Sequence, residues 1–285
     1  MKIKRAAKYG FCSGVRVADI KVKRFAKGGG RAAILGQVVH NERVVDEMAR
    51  LGVRTVRSMD EVRDGVIVFS AHGVPQSFHA DAKERGLEIL DTTCKFVYDI
   101  HNESQRALSD GAHLVFIGDP NHREVIGYTH DLDPATYHIV HTVDEAQAVD
   151  WSRYPKVKIF YQTTLNAEEY EDVAQAIEAA HPNASRADTV CYATKENQEA
   201  ARELADDPEV QLVLVIGGKH SANTRHLHDI CARRKPSHLV QGGEDIDPTW
   251  LAGVTCVGIT AGASTPDYVI DEVEGRLQAL APTPA

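Results

Sequence analysis

The sequence has few cysteines, few aromatic residues and no long apolar run. Aromatic side chains make up 6% of the 285 residues, and only five residues are cysteines. An odd number of cysteines scattered over a long chain does not resemble the disulfide framework of a small secreted domain. No apolar run approaches the roughly 20 residues needed to cross a bilayer. We therefore expect no membrane among the partners of this protein.

Motifs for nucleotide cofactors are also absent. The chain has no G-x-x-x-x-G-K-[ST] sequence and no strand-linked G-x-G-x-x-G, so neither a P-loop nor a Rossmann NAD site is predicted. The formal net charge of −9 argues against nucleic acid as a partner. In a reducing compartment the cysteines then have three possible roles: metal ligand, catalytic thiol or core residue.

The first 31 residues are basic, with ten Lys or Arg and a single acid, Asp19. This composition superficially suggests a transit peptide, but the segment contains YGFCSGVRVADI, a strand-turn-helix pattern typical of folded protein. We interpret the segment as mature protein and expect a cytoplasmic location. The stretch from Lys2 to Arg31 is either an ordinary solvated face or a docking patch for a small acidic electron donor. The C-terminal APTPA is expected to be a frayed tail.

Short β-branched apolar runs alternate with amphipathic stretches, which is the pattern of a parallel α/β sheet. Examples of the predicted helices are residues 43–51, 76–86, 95–110, 167–181 and 195–206. Six apolar runs end in polar loops, which contain His40, His72, His122, Thr163, Ser221 and Ser264. Ligands gather at the carboxyl ends of strands in open α/β sheets. The loops therefore predict one or more binding sites.

Three cysteines divide the chain into similar segments. Cys12, Cys94 and Cys191 each precede two of the polar loops, at intervals of 82 and 97 residues. This spacing predicts a threefold α/β plan with domains at 1–94, 95–190 and 191–285, Cys94 lying at a boundary. Each cysteine sits at a turn leading into a predicted helix. A helix N-terminus lowers the pKa of a thiol and stabilises the thiolate, which is the form that binds metal.

Three converging thiols would restrict the choice of metal group. A structural zinc site is normally closed by four ligands, whereas an iron–sulfur cluster suits soft thiolates and could keep one iron open. The competing interpretation is that these are unrelated core cysteines, since cysteine behaves as a small hydrophobe. Cys231 lies in a helical pattern and Cys256 opens an apolar strand, so we interpret both as core residues.

The polar loops are rich in hydrogen-bond donors suited to phosphate oxygens. Their imidazole, hydroxyl and amide side chains are those of His40, His72, His122, Ser221, Asn223 and Ser264. A single histidine is usually a surface residue or a satisfied core residue. Three histidines at equivalent strand ends instead favour a phosphate-binding pocket.

Nine short motifs, taken in order, resemble one enzyme family. They are GFCSGV, VVHN, SAHGV, DTTC, NHREV, QTTL, CYAT, SAN and TAGAS, and the resemblance runs in order from about residue 9 to 280. The set is similar to the 4-hydroxy-3-methylbut-2-enyl diphosphate reductases, which act last in the non-mevalonate isoprenoid pathway. The resemblance implies reductive loss of the substrate hydroxyl with two electrons and two protons. The implied products are isopentenyl and dimethylallyl diphosphates.

The resemblance also implies a fold and a role for each site residue. It implies three pseudo-threefold related α/β domains with small parallel sheets around a central 4Fe–4S cluster. The implied cluster ligands are Cys12, Cys94 and Cys191, with a fourth iron that is open and whose oxidative loss would leave a 3Fe–4S form. The residues implied to bind the substrate are His40, His72, His122, Thr163, Ser221, Asn223 and Ser264. The implied catalytic residues are Glu124, Thr163 and His122, with Glu124 and Thr163 matching a proton relay beside the substrate hydroxyl.

Three positions depart from the family pattern. Lys95 follows the second cysteine, where proline is common; Arg123 replaces the proline of His-Pro-Glu, and Ala222 replaces a serine of Ser-Ser-Asn. None of these changes removes an implied ligand or the acid, so we retain the activity. Because no NAD or flavin motif is visible, the expected electron donor is of the ferredoxin or flavodoxin type. Two alternatives stay open: a same-fold reductase or dehydratase for another phosphorylated allylic alcohol, and an electron carrier whose cluster serves no substrate.

Overall fold

The structure is a computed structural model that describes residues 1–280 of the chain. The strands in this range are β1 (Lys2–Arg5), β2 (Ala32–Leu35), β3 (Val53–Val56), β4 (Val66–Phe69), β5 (Glu88–Asp91), β6 (His113–Ile117), β7 (Tyr137–Val140), β8 (Val157–Tyr161), β9 (Ala184–Arg186), β10 (Leu212–Ile216), β11 (Ser237–Val240) and β12 (Cys256–Ala261). The helices are α1 (Ser13–Lys27), α2 (Glu42–Arg50), α3 (Gln76–Glu84), α4 (Lys95–Ser109), α5 (Arg123–Thr129), α6 (Val143–Gln147), α7 (Glu171–Ala180), α8 (Tyr192–Asp206), α9 (Ala222–Ala232) and α10 (Asp267–Leu280). Every helix of the described range is too short or too polar to span a bilayer. The APTPA segment, expected to be a frayed tail, lies outside the described residues.

The strands form three four-stranded sheets that share one topology. Their orders are β3-β2-β4-β5, β7-β6-β8-β9 and β11-β10-β12-β1. All strand pairs of the described residues are parallel. The predicted α/β class with three small parallel sheets is therefore confirmed.

The first strand of the chain belongs to the last sheet. β1 pairs with β12, so that Lys2 lies beside Cys256 and Arg5 beside Ile259. Each sheet consequently has an edge strand that is followed along the chain by a cysteine; these are β5 before Cys94, β9 before Cys191 and β1 before Cys12. The sequence grouped each cysteine with the two polar loops that follow it. In the structure, each cysteine follows the edge strand of a sheet. For Cys12 this strand is β1, which belongs to the C-terminal sheet.

The five helices predicted from periodicity are present, with ends that differ by at most four residues. The largest difference is at α7, which begins at Glu171 after a short 3-10 turn over Ala167–Tyr170. The Asn166 side chain accepts a hydrogen bond from the Glu168 N–H and so caps that turn. Local capping, which the apolar period does not encode, therefore sets where the regular helix starts.

The described chain divides into two compact units. Unit 1 comprises Met1–Arg16, Val39–Asp46 and the chain from Tyr192 onward, and it contains the sheet of β1, β10, β11 and β12. Unit 2 comprises Val17–Val38 and Glu47–Cys191 and contains the other two sheets. The three domains expected at 1–94, 95–190 and 191–285 stay a prediction.

Cys231 and Cys256 are core residues, as predicted. Both are buried in unit 1 within an apolar cluster that includes Ala201, Leu204 and Val213. Burial raises the pKa of the Cys231 thiol to about 12. The neutral thiol is therefore favoured, and a neutral thiol is neither a nucleophile nor a metal ligand.

Candidate functional site

The same backbone contact holds Cys12, Cys94 and Cys191. In each case the cysteine N–H donates to the carbonyl of the residue two positions beyond the neighbouring strand. The pairs are Cys12 with Ala263 at 3.1 Å, Cys94 with Ala71 at 3.0 Å and Cys191 with Thr163 at 3.0 Å. Each cysteine also immediately precedes a helix, α1, α4 or α8. All three are partly exposed, unlike the two core cysteines.

The thiol of Cys12 faces the first turn of α1. The Val15 N–H donates to Sγ at 3.4 Å. Burial raises the pKa of the Cys12 thiol, and the N–H groups of Val15 and Gly14 oppose this rise. The sequence predicted that the helix start would lower the thiol pKa, but at Cys12 desolvation is the larger effect. The N–H groups still provide the hydrogen bonds that stabilise a thiolate when a metal supplies positive charge.

Cys12, Cys94 and Cys191 offer three thiol donors. Within residues 1–280 no cysteine forms a disulfide. No group of three or more His, Cys, Asp or Glu side chains in this range is arranged to hold one metal ion. A cubane cluster does not require such a group, because each thiolate binds a different iron atom. Three thiols at three helix starts therefore fit the soft donor set of an iron–sulfur centre.

In unit 1 the loops that carry His40, Ser221 and Ser264 lie together. Ser264 Oγ donates to the His40 carbonyl at 3.2 Å. Gly218 packs so closely against the same carbonyl that an added Cβ would lie 2.6 Å from the oxygen. Ser221 caps α9, where its Oγ accepts from the Thr224 N–H at 3.3 Å. These contacts bring the loops of three predicted site residues together in this unit.

Asn223, in the first turn of α9, has a buried side chain with no hydrogen-bond partner. It is 4% exposed, and neither Nδ2 nor Oδ1 forms a hydrogen bond to any described residue. Leaving a buried amide unsatisfied costs about 1–3 kcal/mol, so such a group points to a ligand. The start of a helix also favours an anion through its N–H groups and dipole. Both observations favour an anionic ligand at this point.

In unit 2 the rings of His72 and His122 approach each other edge to face. Their centres are 6.0 Å apart and the interplanar angle is 84°. His122 caps α5, and its Nδ1 accepts from the Glu124 N–H at 3.3 Å. This contact places the proton of the neutral His122 ring on Nε2, which becomes the hydrogen-bond donor of the ring.

Glu124 is buried and bonded to Thr163 through both carboxyl oxygens. It is 1% exposed. Oε1 accepts from the Thr163 N–H at 2.8 Å, and Oε2 lies 2.9 Å from the donating Thr163 hydroxyl. Burial raises the pKa of Glu124 to about 7, although the two Thr163 bonds lower it. A carboxyl group that titrates near neutral pH is suited to general acid catalysis.

Tyr128 also contacts Glu124, and the sequence analysis missed it. The Tyr128 hydroxyl donates to Glu124 Oε1 from one turn further along α5. Its ring is buried, stacked on Phe116 with centres 5.5 Å apart, and meets His101 edge to face. The spacing of four residues could have indicated the contact, but the sequence analysis named no helix over α5.

Within unit 2, a continuous series of contacts joins the predicted site residues. The members of this series are Cys94, the loop of His72, His122, Glu124, Thr163 and Cys191. Within unit 1, Cys12 bonds to the loop of Ser264, which contacts His40. Each unit therefore brings its own predicted ligands and polar residues together.

The three departures from the family pattern have separate environments. Lys95 is exposed and pairs with Asp99 at 2.5 Å. Arg123 extends over Gly36, where an added Cβ would lie 2.3 Å from Nη1, and it lines a cavity of about 390 Å³. Ala222 opens α9 beside Asn223. None of the three forms a hydrogen bond with Glu124.

Comparison with known proteins gives full-length matches. The family model described as LytB protein matches residues 3–278. A 4-hydroxy-3-methylbut-2-enyl diphosphate reductase of Actinobacillus pleuropneumoniae serotype 5b (strain L20) is 38% identical over 290 aligned positions, covering 99% of this chain and 92% of the relative. The enzyme of the same description from Alkaliphilus oremlandii (strain OhILAs) is 36% identical and covers 98% and 100%.

Solved structures agree with these sequence matches. The E-1-hydroxy-2-methyl-but-2-enyl-4-diphosphate reductase from Plasmodium falciparum superposes with a TM-score of 0.91 at 26% identity, covering 99% of this chain and 89% of that one. A second structure is described as (E)-4-hydroxy-3-methyl-but-2-enyl diphosphate reductase, the terminal enzyme of the non-mevalonate pathway. It has a TM-score of 0.73 at 32% identity and covers 98% and 100%.

Proposed function

Because the chain belongs to the LytB protein family, we propose that it reduces 4-hydroxy-3-methylbut-2-enyl diphosphate to isopentenyl and dimethylallyl diphosphates. This is the last step of the non-mevalonate isoprenoid pathway. The reaction consumes two electrons and two protons and releases the substrate hydroxyl as water. The observation that carries the proposal is the buried Glu124 carboxyl bonded to Thr163 beside the His72 and His122 loops.

Members of this family are iron–sulfur proteins, and the proposed cofactor is a 4Fe–4S cluster held by Cys12, Cys94 and Cys191. Support comes from the repeated N–H contact of these three residues and from the helix that follows each one. When bound, the cluster supplies low-potential electrons and a Lewis-acidic iron without a protein thiolate. Such an iron is the most easily lost, so oxidation is expected to leave a 3Fe–4S form.

The proposed diphosphate contacts are the polar loop residues named from the sequence. They are His40, His72, His122, Thr163, Ser221, Asn223 and Ser264. The unsatisfied Asn223 amide at the start of α9 supports an anionic ligand in unit 1. His122 supports one in unit 2, because its Nδ1 is already an acceptor and its Nε2 therefore donates. Anchoring the non-reacting diphosphate would orient the allylic end of the substrate.

Glu124 and Thr163 are the proposed proton source. In the acid form, Glu124 donates from Oε2 to Thr163 Oγ1, which leaves the Thr163 hydrogen free to turn toward the substrate hydroxyl. Proton transfer through this pair ends with the carboxylate, which the Thr163 N–H stabilises. A nearby diphosphate would raise the pKa of Glu124 further and keep the proton in place until it is needed.

The proposed electron donor is a ferredoxin or flavodoxin, and the proposed location is the cytoplasm. A direct test combines anaerobic iron and sulfide analysis with an assay that uses a chemical reductant. About four iron and four sulfide per chain are expected, together with reduction of 4-hydroxy-3-methylbut-2-enyl diphosphate. A chain that takes up no cluster, or that prefers another phosphorylated allylic alcohol, would contradict the proposal.

A further inference from the structure

The outer face of α1 is both apolar and basic. Val17 and Ile20 are 50% and 48% exposed, which is unusual for branched aliphatic side chains. Lys21, Arg24 and Lys27 are exposed beside them, and this spacing puts all five residues on one side of a helix. We name these five residues the α1 face.

The α1 face contains no acidic residue. The one acid of the helix, Asp19, is buried on the other side and pairs with Lys23 at 3.0 Å. Among residues 1–280, no carboxylate lies within ion-pair distance of Arg24 or Lys27. Lys21 donates only to a backbone carbonyl, that of Asp91, at 3.3 Å. The positive charge of the α1 face is therefore uncompensated.

Of the other seven cations in the basic N-terminal stretch, all but Arg31 lie in ion pairs. Lys2 and Lys4 pair with Glu209 at 2.5 and 2.7 Å, and Arg5 pairs with Asp271 at 3.1 Å. Strand β1 is thus neutralised by acids from distant parts of unit 1. Of the basic stretch from Lys2 to Arg31, the α1 face is the part that combines free cations with exposed apolar side chains.

The α1 face lies close to two proposed cluster ligands. Cys12 immediately precedes α1 in the chain and is five residues from Val17. The carbonyl that accepts from Lys21 belongs to Asp91, three residues before Cys94. A protein bound at this face would therefore lie beside the segment that leads to Cys94.

We propose that the α1 face is the docking site of a small acidic electron-carrier protein. The inference rests on the proposed function, which requires two electrons for each hydroxyl lost as water. A one-electron carrier such as reduced ferredoxin would dock twice per turnover, and two ferredoxins would be oxidised. Val17 and Ile20 would form the dry centre of the contact, and the three cations would steer acidic side chains toward it. With a net charge of −9 on the whole chain, most of the remaining surface repels such a partner.

The test uses cluster-loaded enzyme with reduced ferredoxin as the donor and a charge-reversed variant, Arg24→Glu/Lys27→Glu. We expect kcat/KM for ferredoxin to fall by about tenfold or more at low ionic strength, and the difference to shrink as salt screens the charges. Turnover with reduced methyl viologen should not change. The control is Arg57→Glu/Arg63→Glu, which makes the same charge change at exposed positions away from α1.

A second variant, Val17→Ala/Ile20→Ala, tests the apolar centre. Alanine preserves the helix but removes the larger apolar side chains. The ferredoxin KM should therefore rise several-fold, while the salt dependence of kcat/KM stays the same. Direct titration of ferredoxin binding gives a readout that is independent of turnover and should show the same order of variants.

The outcomes separate the docking site from the function. Normal ferredoxin-driven turnover in the charge-reversed variant would overturn the docking site while the function stands. Failure of the cluster-loaded wild type to reduce the substrate with methyl viologen would overturn the function. Equal losses of ferredoxin-driven turnover in both charge-reversed variants would also overturn the proposal. A change of oligomeric state confined to the α1 variants would overturn it as well, because it would assign the face to a second copy of the chain.

Tyr128 carries a second inference from an independent contact. Its hydroxyl donates to Oε1 of Glu124, the oxygen that also accepts the Thr163 N–H. With two donors on Oε1, the proton of the neutral carboxyl sits on Oε2, which faces the Thr163 hydroxyl at 2.9 Å. We infer that Tyr128 is a positioning residue that keeps the transferable proton on the oxygen nearest Thr163.

Tyr128→Phe tests this role because it removes the hydroxyl and keeps the ring stacked on Phe116. We expect kcat to fall about tenfold with KM unchanged, and the alkaline pKa of the kcat profile to rise because the carboxylate loses a donor. The matched control is Tyr137→Phe, whose ring also meets Phe116 but does not contact Glu124. The other titratable groups around this contact, His101 and His122, are unchanged in both variants. An unchanged pH profile of kcat in Tyr128→Phe would show that Tyr128 contributes packing only.

Discussion

Replacing Glu124 with Gln removes the proposed proton and preserves the shape of the site. The amide oxygen can still accept from the Thr163 N–H and from Tyr128, and the amide nitrogen can donate to Thr163 Oγ1 in place of the acid. The contacts that Glu124 makes in the structure are therefore retained. What the variant lacks is a transferable hydrogen.

The expected loss of turnover follows from general acid catalysis. Such catalysis typically contributes 10²–10⁴-fold, so kcat should fall by roughly that factor while KM and iron content stay close to wild type. Thr163→Val should lower kcat by less, since a water molecule can partly replace a relay hydroxyl. In the wild type, kcat/KM should decline as the pH rises through about 7, where Glu124 of the free enzyme loses its proton. The decline in kcat should come at higher pH, because the bound diphosphate raises the pKa of Glu124 further.

The same substitution has a second, independent signature in stability. The pKa of Glu124 is raised in the folded chain from 4.5 to about 7 by burial. The stability contributed by the bound proton is thus fully present below pH 4.5 and is lost as the pH rises through 7. At 1.36 kcal/mol per pKa unit this loss is roughly 3 kcal/mol. Gln does not titrate, so above pH 7 the variant should be more stable than the wild type.

Two assays check these expectations on the same samples. Steady-state turnover with a chemical reductant gives kcat and KM across pH, and denaturant unfolding of the wild type and Glu124→Gln gives the pH dependence of their difference in stability. Near-normal turnover in a Glu124→Gln enzyme with full iron content would place the proton donor elsewhere. A difference in stability that does not vary with pH would refute the raised pKa.

The remaining predictions concern the cluster and the diphosphate site. Serine replacement of any one proposed ligand, Cys12, Cys94 or Cys191, should abolish iron binding. Serine replacement of the core residues Cys231 and Cys256 should leave the iron and sulfide content unchanged. Loss of iron in a core variant would refute the three-thiol set. Asn223→Leu should raise the substrate KM roughly 10- to 100-fold without lowering the melting temperature, because the buried unpaired amide is removed. An unchanged KM would exclude Asn223 from the diphosphate site.

Local patterns predicted much of the fold and of the candidate site. β-branched runs and the helical period indicated a parallel α/β protein, since side-chain patterns respond directly to burial on a strand or helix. His122, Glu124 and Thr163 were named from short motifs, and in unit 2 they are joined by hydrogen bonds. Residues close in the sequence or set by a motif were therefore the predictable part.

Features that depend on pairing between distant parts of the chain could not be predicted from local sequence patterns. Nothing in the four residues of β1 indicates that their partner is β12. Similarly, the Lys2 and Arg5 side chains read as free charges in the sequence, yet they are neutralised by Glu209 and Asp271. Tyr128 was missed for another reason, since its contact depends on a short helix with a weak apolar period.

The pairing of β1 with β12 has a consequence for the biogenesis of the protein. On the ribosome, β1 is made about 250 residues before its partner strand, which at 5–20 residues per second is roughly 10–50 s. Until then Cys12 lacks the Ala263 carbonyl that fixes its backbone. The backbone contact that Cys12 shares with the other two proposed ligands can therefore form only late in translation. We expect the proposed cluster to be inserted after β12 and Ala263 have been made.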